Sequence, residues 1–297
     1  MRGRAPYFPI EDGPWRMAMG LRPLDPADWL QPDAELEQDL VEKDRLIAER
    51  LDEVFAVTPG SETACRELLA KVLDYLPAAY PETYRLKKDA VRIGLERTVA
   101  LGCGEPALLT AGRLAQEDFC ILQEDAEGRY LLTAATLCFP TRWRLADKLG
   151  KPLAAIHGPV PVYADKLARP VDRFFQHLKA DKPVWRINWS LLDDPALFQP
   201  TGHGRTLADL SITPENIGEK VTFRSERQTL VRLPATGAVV FGIRNYRAPL
   251  AQVAADPVRA RRMLQAIETM PPEVLKYKSF SVFRAPLETY LAAAAGV

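Results

Sequence analysis

The stretch Phe119-Cys120-Ile121-Leu122-Gln123-Glu124-Asp125-Ala126-Glu127-Gly128-Arg129-Tyr130, continued by Leu131-Leu132-Thr133-Ala134-Ala135-Thr136-Leu137-Cys138-Phe139-Pro140, decides the fold. Its two flanks, 119–122 and 130–139, are rich in β-forming residues, and Asp125-Ala126-Glu127-Gly128 between them is a turn signal, so the segment reads as a β-hairpin. Pro140 ends the second strand. Two helical segments are expected next, Arg142 to His157 and Tyr163 to Lys179, joined by the rigid Gly158-Pro159-Val160-Pro161. Three further strands follow, at Val184 to Leu191, Val221 to Leu233 and Ala238 to Tyr246, with Ala235-Thr236-Gly237 as the turn between the last two.

Two strands, helices and three strands is the wiring of a PAS-like α+β domain. Such a domain is a five-stranded antiparallel sheet with a helical insert after the second strand, and it holds a ligand between insert and sheet. Outward from this core, residues 1–32 carry Tyr7, Phe8, Pro9, Trp15, Pro23 and Trp29 without period, as expected of an arm wrapped over a larger body. From Asp33 to Phe55, Leu36, Leu40, Ile47, Leu51 and Val54 recur at helical spacing, with glutamates and lysines assigned to the opposite face. Pro59-Gly60-Ser61 ends that helix, and Ser61 can cap a second one running to about Leu76. A third helix is expected over Asp89 to Leu101, and two more over Pro257 to Thr269 and Leu287 to Ala295. With no internal repeat or low-complexity linker, one body over residues 1–297 is the expectation: an N-terminal arm and helices (1–110), the PAS-like core (111–250) and C-terminal helices (251–297).

The chain has 297 residues, 47% apolar and 26% charged, which is the balance of a folded protein with a sizeable core. Its 39 basic and 39 acidic side chains cancel, so no summed field draws it to nucleic acid or an anionic membrane, and neither is expected as a partner. The start, MRGRAPYFPIEDGPWRM, has no apolar run, so neither a secretion signal nor a membrane span is read there and the cytoplasm is the expected location. Cysteines 65, 103, 120 and 138 lack metal-binding spacing and read as reduced core residues. Gly102-Cys103-Gly104-Glu105-Pro106-Ala107 has the letters of a dinucleotide-binding turn, but it follows an expected helix, and Pro106 removes an amide that could face phosphate. No nucleophile elbow, Walker A, zincin or EF-hand pattern occurs.

There are three histidines, at 157, 177 and 203. His177 falls on an amphipathic helix and His203 in the loop Thr201-Gly202-His203-Gly204, where ordinary structural roles are expected. His157 ends the periodic segment Leu145, Leu149, Leu153, Ile156, directly before the proline-braced bend. It can be a helix-terminus histidine or the single protein ligand of a porphyrin iron, whose four equatorial nitrogens the porphyrin supplies. The strand Val184-Trp185-Arg186-Ile187-Asn188-Trp189 alternates polar with apolar residues. In Phe223-Arg224-Ser225-Glu226-Arg227-Gln228-Thr229-Leu230, several strongly polar groups crowd one strand. They call either for pairing with one another or for a ligand.

Further segments carry a resemblance: Gln116-Glu117-Asp118-Phe119, Cys138-Phe139-Pro140-Thr141-Arg142-Trp143, Lys148-Leu149-Gly150, Ile156-His157-Gly158-Pro159-Val160-Pro161-Val162-Tyr163, Arg186-Ile187-Asn188-Trp189 and Arg224 to Leu230. With them the chain resembles the family of the haem-dependent oxidative N-demethylase α subunit, from Gly20-Leu21-Arg22-Pro23-Leu24 to Met270-Pro271-Pro272. The resemblance implies an enzyme in which haem b, with His157 as axial iron ligand, uses O2 to demethylate a small secondary amine such as dimethylamine. It also implies partner subunits carrying flavin, an iron-sulfur cluster and folate, with electrons drawn from NADPH. On this expectation Arg224, Arg227 and Asn188 polarise oxygen, Glu226 holds an alkylammonium, and Tyr163 and Trp189 wall the pocket. A haem-based gas or redox sensor, and a haem-free scaffold subunit, are the competing expectations.

Overall fold

In the computed structural model, residues 5–102 and 104–297 are described. The strands are β1 (Arg22–Pro23), β2 (Phe55–Val57), β3 (Tyr84–Leu86), β4 (Ala90–Ile93), β5 (Arg97–Ala100), β6 (Asp118–Glu124), β7 (Tyr130–Thr136), β8 (Val184–Leu192), β9 (Thr222–Arg232) and β10 (Val239–Pro249). Seven form one antiparallel sheet in the order β1-β8-β9-β10-β6-β7-β2, and β3-β4-β5 form a small second sheet. The fold is α+β, but the main sheet has seven strands where five are expected from the sequence. The two extra strands are edges of two and three residues, Arg22 against Trp185 and Phe55 against Thr136. Segments that short are too brief to show alternation and are strands only by virtue of their partners.

The deciding hairpin is present, and β6 also pairs with β10, Ile121 opposite Val240. The longest pairing joins β9 to β10, from Thr222 opposite Pro249 to Arg232 opposite Val239. One face of the sheet packs under the helices Leu36–Glu49, Glu62–Ala79 and Ala107–Leu114, with Leu40, Leu68, Leu108, Phe119, Ile121 and Val240 at the centre. The C-terminal helices Pro257–Thr269 and Arg284–Ala295 build a second apolar cluster around Phe223, Met263, Ile267 and Leu287.

Several local expectations are corrected. Residues 89–101 form the β4–β5 hairpin and not a helix: Val91, Ile93 and Val99 alternate inward, and Gly94 makes the turn with φ +60°. Arg142 to His157 is not one helix either. A 3-10 turn at Leu145–Asp147 and a single turn at Leu153–Ile156 are separated by Gly150, φ +73°, and Pro152, which bridges to Leu131. The second insert segment divides at Leu167 into Tyr163–Lys166 and Ala168–His177. Ser61 does not cap its helix; its hydroxyl donates to the Thr58 carbonyl at 2.6 Å. Gly102 follows strand β5, so the strand–glycine–helix order is met at residues 97–107, yet the strand belongs to a small antiparallel sheet and Pro106 still withholds its amide. Cys65, Cys120 and Cys138 are buried free thiols, as read, and Cys103 lies outside the described residues.

Lys43 is also displaced from its expected place. Leu36, Leu40, Lys43 and Ile47 share one buried helix face, and the fully buried Lys43 ammonium sits 3.1 Å from the Asp118 carboxylate and 2.5 Å from the Glu117 carbonyl. Beside it, Arg244 pairs with Asp33 at 3.0 Å and with Asp39 at 3.4 Å, and Gln116 donates to both carboxylates. This buried ionic layer bolts the helix Leu36–Glu49 to the sheet. Among the described residues, no helix is long and apolar enough to cross a membrane.

Candidate functional site

On the other face of the sheet a cavity of about 800 Å³ opens between β8–β9 and the insert, a volume within the ~300–1,000 Å³ range of ligand pockets. The N-terminal arm, Tyr7 to Arg22, closes one side, while Leu153, Ile156, His157, Tyr163 and Phe174 of the insert form another. Because β1 pairs with β8 only at Val184 and Trp185, the rest of β8 keeps an open edge, and Arg186 to Ser190 all border the space. The strand residues Val184 to Trp189 are partly exposed for that reason, although the strand lies within the molecule.

His157 follows the turn Leu153–Ile156. Its ring Nδ1 lies 2.9 Å from the Leu153 carbonyl, which fixes Nδ1 as the protonated nitrogen and leaves the Nε2 lone pair free. Burial lowers its pKa to about 4, with the nearby Lys148 and Arg186 charges acting in the same direction, so the ring is neutral at pH 7. The Tyr163 ring stacks on it at 4.5 Å and 14°. Val162, just before Tyr163, has φ +58°, a conformation costly for a β-branched residue.

Across the space, the Glu226 carboxylate is buried and collects three donors. Thr141 Oγ1 donates to one oxygen, and Asn188 Nδ2 at 3.2 Å and Gln228 Nε2 at 2.8 Å donate to the other. Thr141 is held there by its neighbour Arg142, whose φ of +60° is sustained by an ion pair to Asp193 and a bond to Gln199 at 3.3 Å. Lys148, Arg186 and Lys278 supply positive charge around the carboxylate, and each has its pKa lowered first by burial.

Of the residues singled out in the sequence, His157, Tyr163, Asn188, Trp189 and Glu226 border this one cavity. Arg224 and Arg227 do not. The Arg224 guanidinium is consumed by the Phe139 carbonyl at 2.6 Å, the Leu197 carbonyl at 3.0 Å and Asn245 at 2.9 Å. Arg227 turns to the other face of the sheet, donating to the Trp29 carbonyl at 3.0 Å and the Asp28 carbonyl at 2.5 Å. These guanidiniums tie loops to the sheet, so the expectation that they face oxygen is not met by their placement. His177 lies on an outer groove with Arg169 and Arg173.

Lys148, Arg186, Lys278, Tyr277 and His203 also line the cavity; no site role was expected of them, and for His203 an ordinary structural one was. Arg186 was legible in the alternation of β8. His203 was not, since it reaches the site through a long-range clamp. Its Nδ1 lies 2.9 Å from the Tyr277 carbonyl, its ring stacks on Tyr277 at 4.3 Å, and Ser279 Oγ donates to the Gly202 carbonyl at 2.7 Å.

These residues fit a porphyrin iron. One neutral imidazole with its Nδ1 already engaged faces a space that Leu153, Ile156, Leu230 and Phe241 wall in part, as a residue that would hold a porphyrin iron requires. Arg186 Nε and the Tyr163 hydroxyl are buried there without hydrogen-bond partners, and a cofactor bearing carboxylates would satisfy a lone guanidinium of this kind. Among the described residues, no cluster of three or more His, Cys, Asp or Glu side chains is built to hold a bare metal ion. The family model described as haem-dependent oxidative N-demethylase, alpha subunit-like, matches residues 20–288, nearly the whole chain, and the protein belongs to that family.

Proposed function

We propose that this chain is the haem-bearing subunit of an oxidative N-demethylase that acts on a small secondary amine of the dimethylamine class, with haem b held by His157. Its five central strands, in the order β8-β9-β10-β6-β7 with the insert after the second in sequence, support reading the core as PAS-like. The observation that carries the functional reading is that the free Nε2 face of His157 and the triply hydrogen-bonded Glu226 carboxylate border the same cavity.

When bound, the haem supplies oxygen activation and oxidation of the N-methyl group. The chain's own residues do the rest. Glu226 receives the alkylammonium N–H, and Thr141, Asn188 and Gln228 hold its oxygens in place. Trp189, stacked on Phe223 at 6.1 Å, and Tyr163 wall the space so that only small substituents enter. Arg186 takes the donor role first expected of Arg224 and Arg227, because it borders the cavity and they do not. Electrons come from a reductase partner, on which the flavin and iron-sulfur centres reside, with NADPH as their source and folate on a further subunit.

The test is a pair of measurements on the purified chain. A Soret band establishes pigment, and amine-dependent formaldehyde release with O2 and an added flavin/iron-sulfur reductase establishes turnover. Pigment without amine-dependent turnover would make the protein a haem-based sensor. A colourless protein that refuses added haem would make it a scaffold.

A further inference from the structure

Lys278 is a primary amine that the proposed reaction does not use. Its Nζ donates to the Trp189 carbonyl at 2.7 Å and lies 5.4 Å from the Trp189 ring centre and 6.0 Å from that of Phe280. It lines the same cavity as Glu226 and His203, and among the described residues no carboxylate pairs with it directly. Its backbone is held by a clamp that has no evident need of an amine. Tyr277 accepts from Gly204 N at 3.3 Å, and Ser279, φ +59°, bonds to the loop at Gly202 and Arg205. A lysine carried by a strained, doubly anchored turn into an aromatic pocket is arranged as amine nucleophiles are.

From this geometry we infer that Lys278 is a carbonyl-capturing residue that binds a small aldehyde, formaldehyde above all, as a reversible imine inside the cavity. The inference rests on the proposed demethylation, since that reaction releases its methyl carbon as formaldehyde in this space. Nζ attacks the aldehyde carbon, forming the C–N bond, while one N–H proton passes to the oxygen to give a carbinolamine. Loss of that hydroxyl as water, with the second N–H proton, gives the imine, and water reverses both steps with no oxidant or reductant involved. Burial, which lowers the lysine pKa to about 8, favours the neutral amine that the attack needs; Glu226 opposes that shift and Arg186 reinforces it. Holding the aldehyde would keep it from escaping before a second reaction consumes it.

The experiment treats the haem-loaded protein at pH 7 with limiting formaldehyde and cyanoborohydride, which reduces an imine to a stable N-methyl group, and maps the modified lysines by mass. Exposed Lys276 is the internal reference. An ordinary lysine titrates near 10.4, so the neutral fraction at Lys278 is roughly 100-fold larger, and its methylation is expected to lead that of Lys276 by ~10-fold or more. Equal or slower modification of Lys278 overturns the inference. The same mapping after amine turnover separates the two readings. Formaldehyde released with Lys278 unmodified refutes the capture site alone, whereas capture of added formaldehyde with none produced from amine refutes the demethylation.

Discussion

Replacing Glu226 by glutamine isolates the charge that the proposed substrate needs. Glutamine has the same shape, and its amide can point its oxygen at Asn188 and Gln228 and its NH2 at Thr141, whose hydroxyl turns to accept. The fold is therefore kept and only the negative charge goes. A hydrogen bond from an ammonium to a carboxylate is worth ~1.5–3 kcal/mol, so dimethylamine should bind ~10–100-fold more weakly. The same change removes the group that raises the Lys278 pKa, so that lysine should titrate below its value of about 8 in the parent protein. Binding is read from the amine-induced change in the haem spectrum, with carbon monoxide affinity of the ferrous form as an uncharged control. Equal amine dissociation constants in E226Q and parent, with both folded and pigmented, would remove Glu226 from the substrate site.

His157→Gly should lose pigment by more than the ~10–100-fold that removal of a mere outer-shell partner costs, and added imidazole should restore the spectrum; pigment retained without imidazole refutes the ligand assignment. Lys43→Met should cost ~3–5 kcal/mol in denaturant unfolding by stranding the buried Asp118 charge, and adding Asp118→Asn should recover most of that loss. His203 has its pKa lowered from 6.5 to about 4 by burial, so the unfolded chain binds its proton first as pH falls. Its contribution to stability is complete above pH 6.5 and is lost between pH 6.5 and 4, at most ~3 kcal/mol, whereas His203→Asn should show a flatter profile over that window in pH-dependent urea melts.

The core of the fold was legible because its strands are long enough to declare themselves. The hairpin at Phe119–Phe139 and strands β8, β9 and β10 fall within a few residues of where hydrophobic runs and turn residues put them. What failed was short or depended on a partner: the edge strands at Arg22 and Phe55 exist only through pairing, and residues 89–101 contain enough helix formers to imitate a helix until Gly94 turns the chain. Lys43 was misplaced for a different reason. A lysine on a helix is normally solvated, and Asp118 with the Glu117 carbonyl, far along the chain, makes its burial tolerable.

The site divides along the same line, and strand β9 shows why. Arg224, Glu226 and Arg227 looked alike in the sequence as polar groups in a central strand, and each is in fact held by hydrogen bonds, although Arg227 Nε has no partner. What separates them is the kind of partner. The two arginines end mainly on backbone carbonyls, with the Asn245 and Asp28 side chains beside them, acceptors that leave the charge committed to holding the fold. Glu226 ends on side-chain donors at the rim of a cavity, and a carboxylate oxygen can accept from an ammonium in addition to an amide. Local sequence encodes polarity, whereas spare bonding capacity depends on what lies across the gap. Arg186 carries the converse signal, a buried guanidinium nitrogen with no partner beside the neutral imidazole of His157, and that unmet demand is what a carboxylate-bearing cofactor would meet.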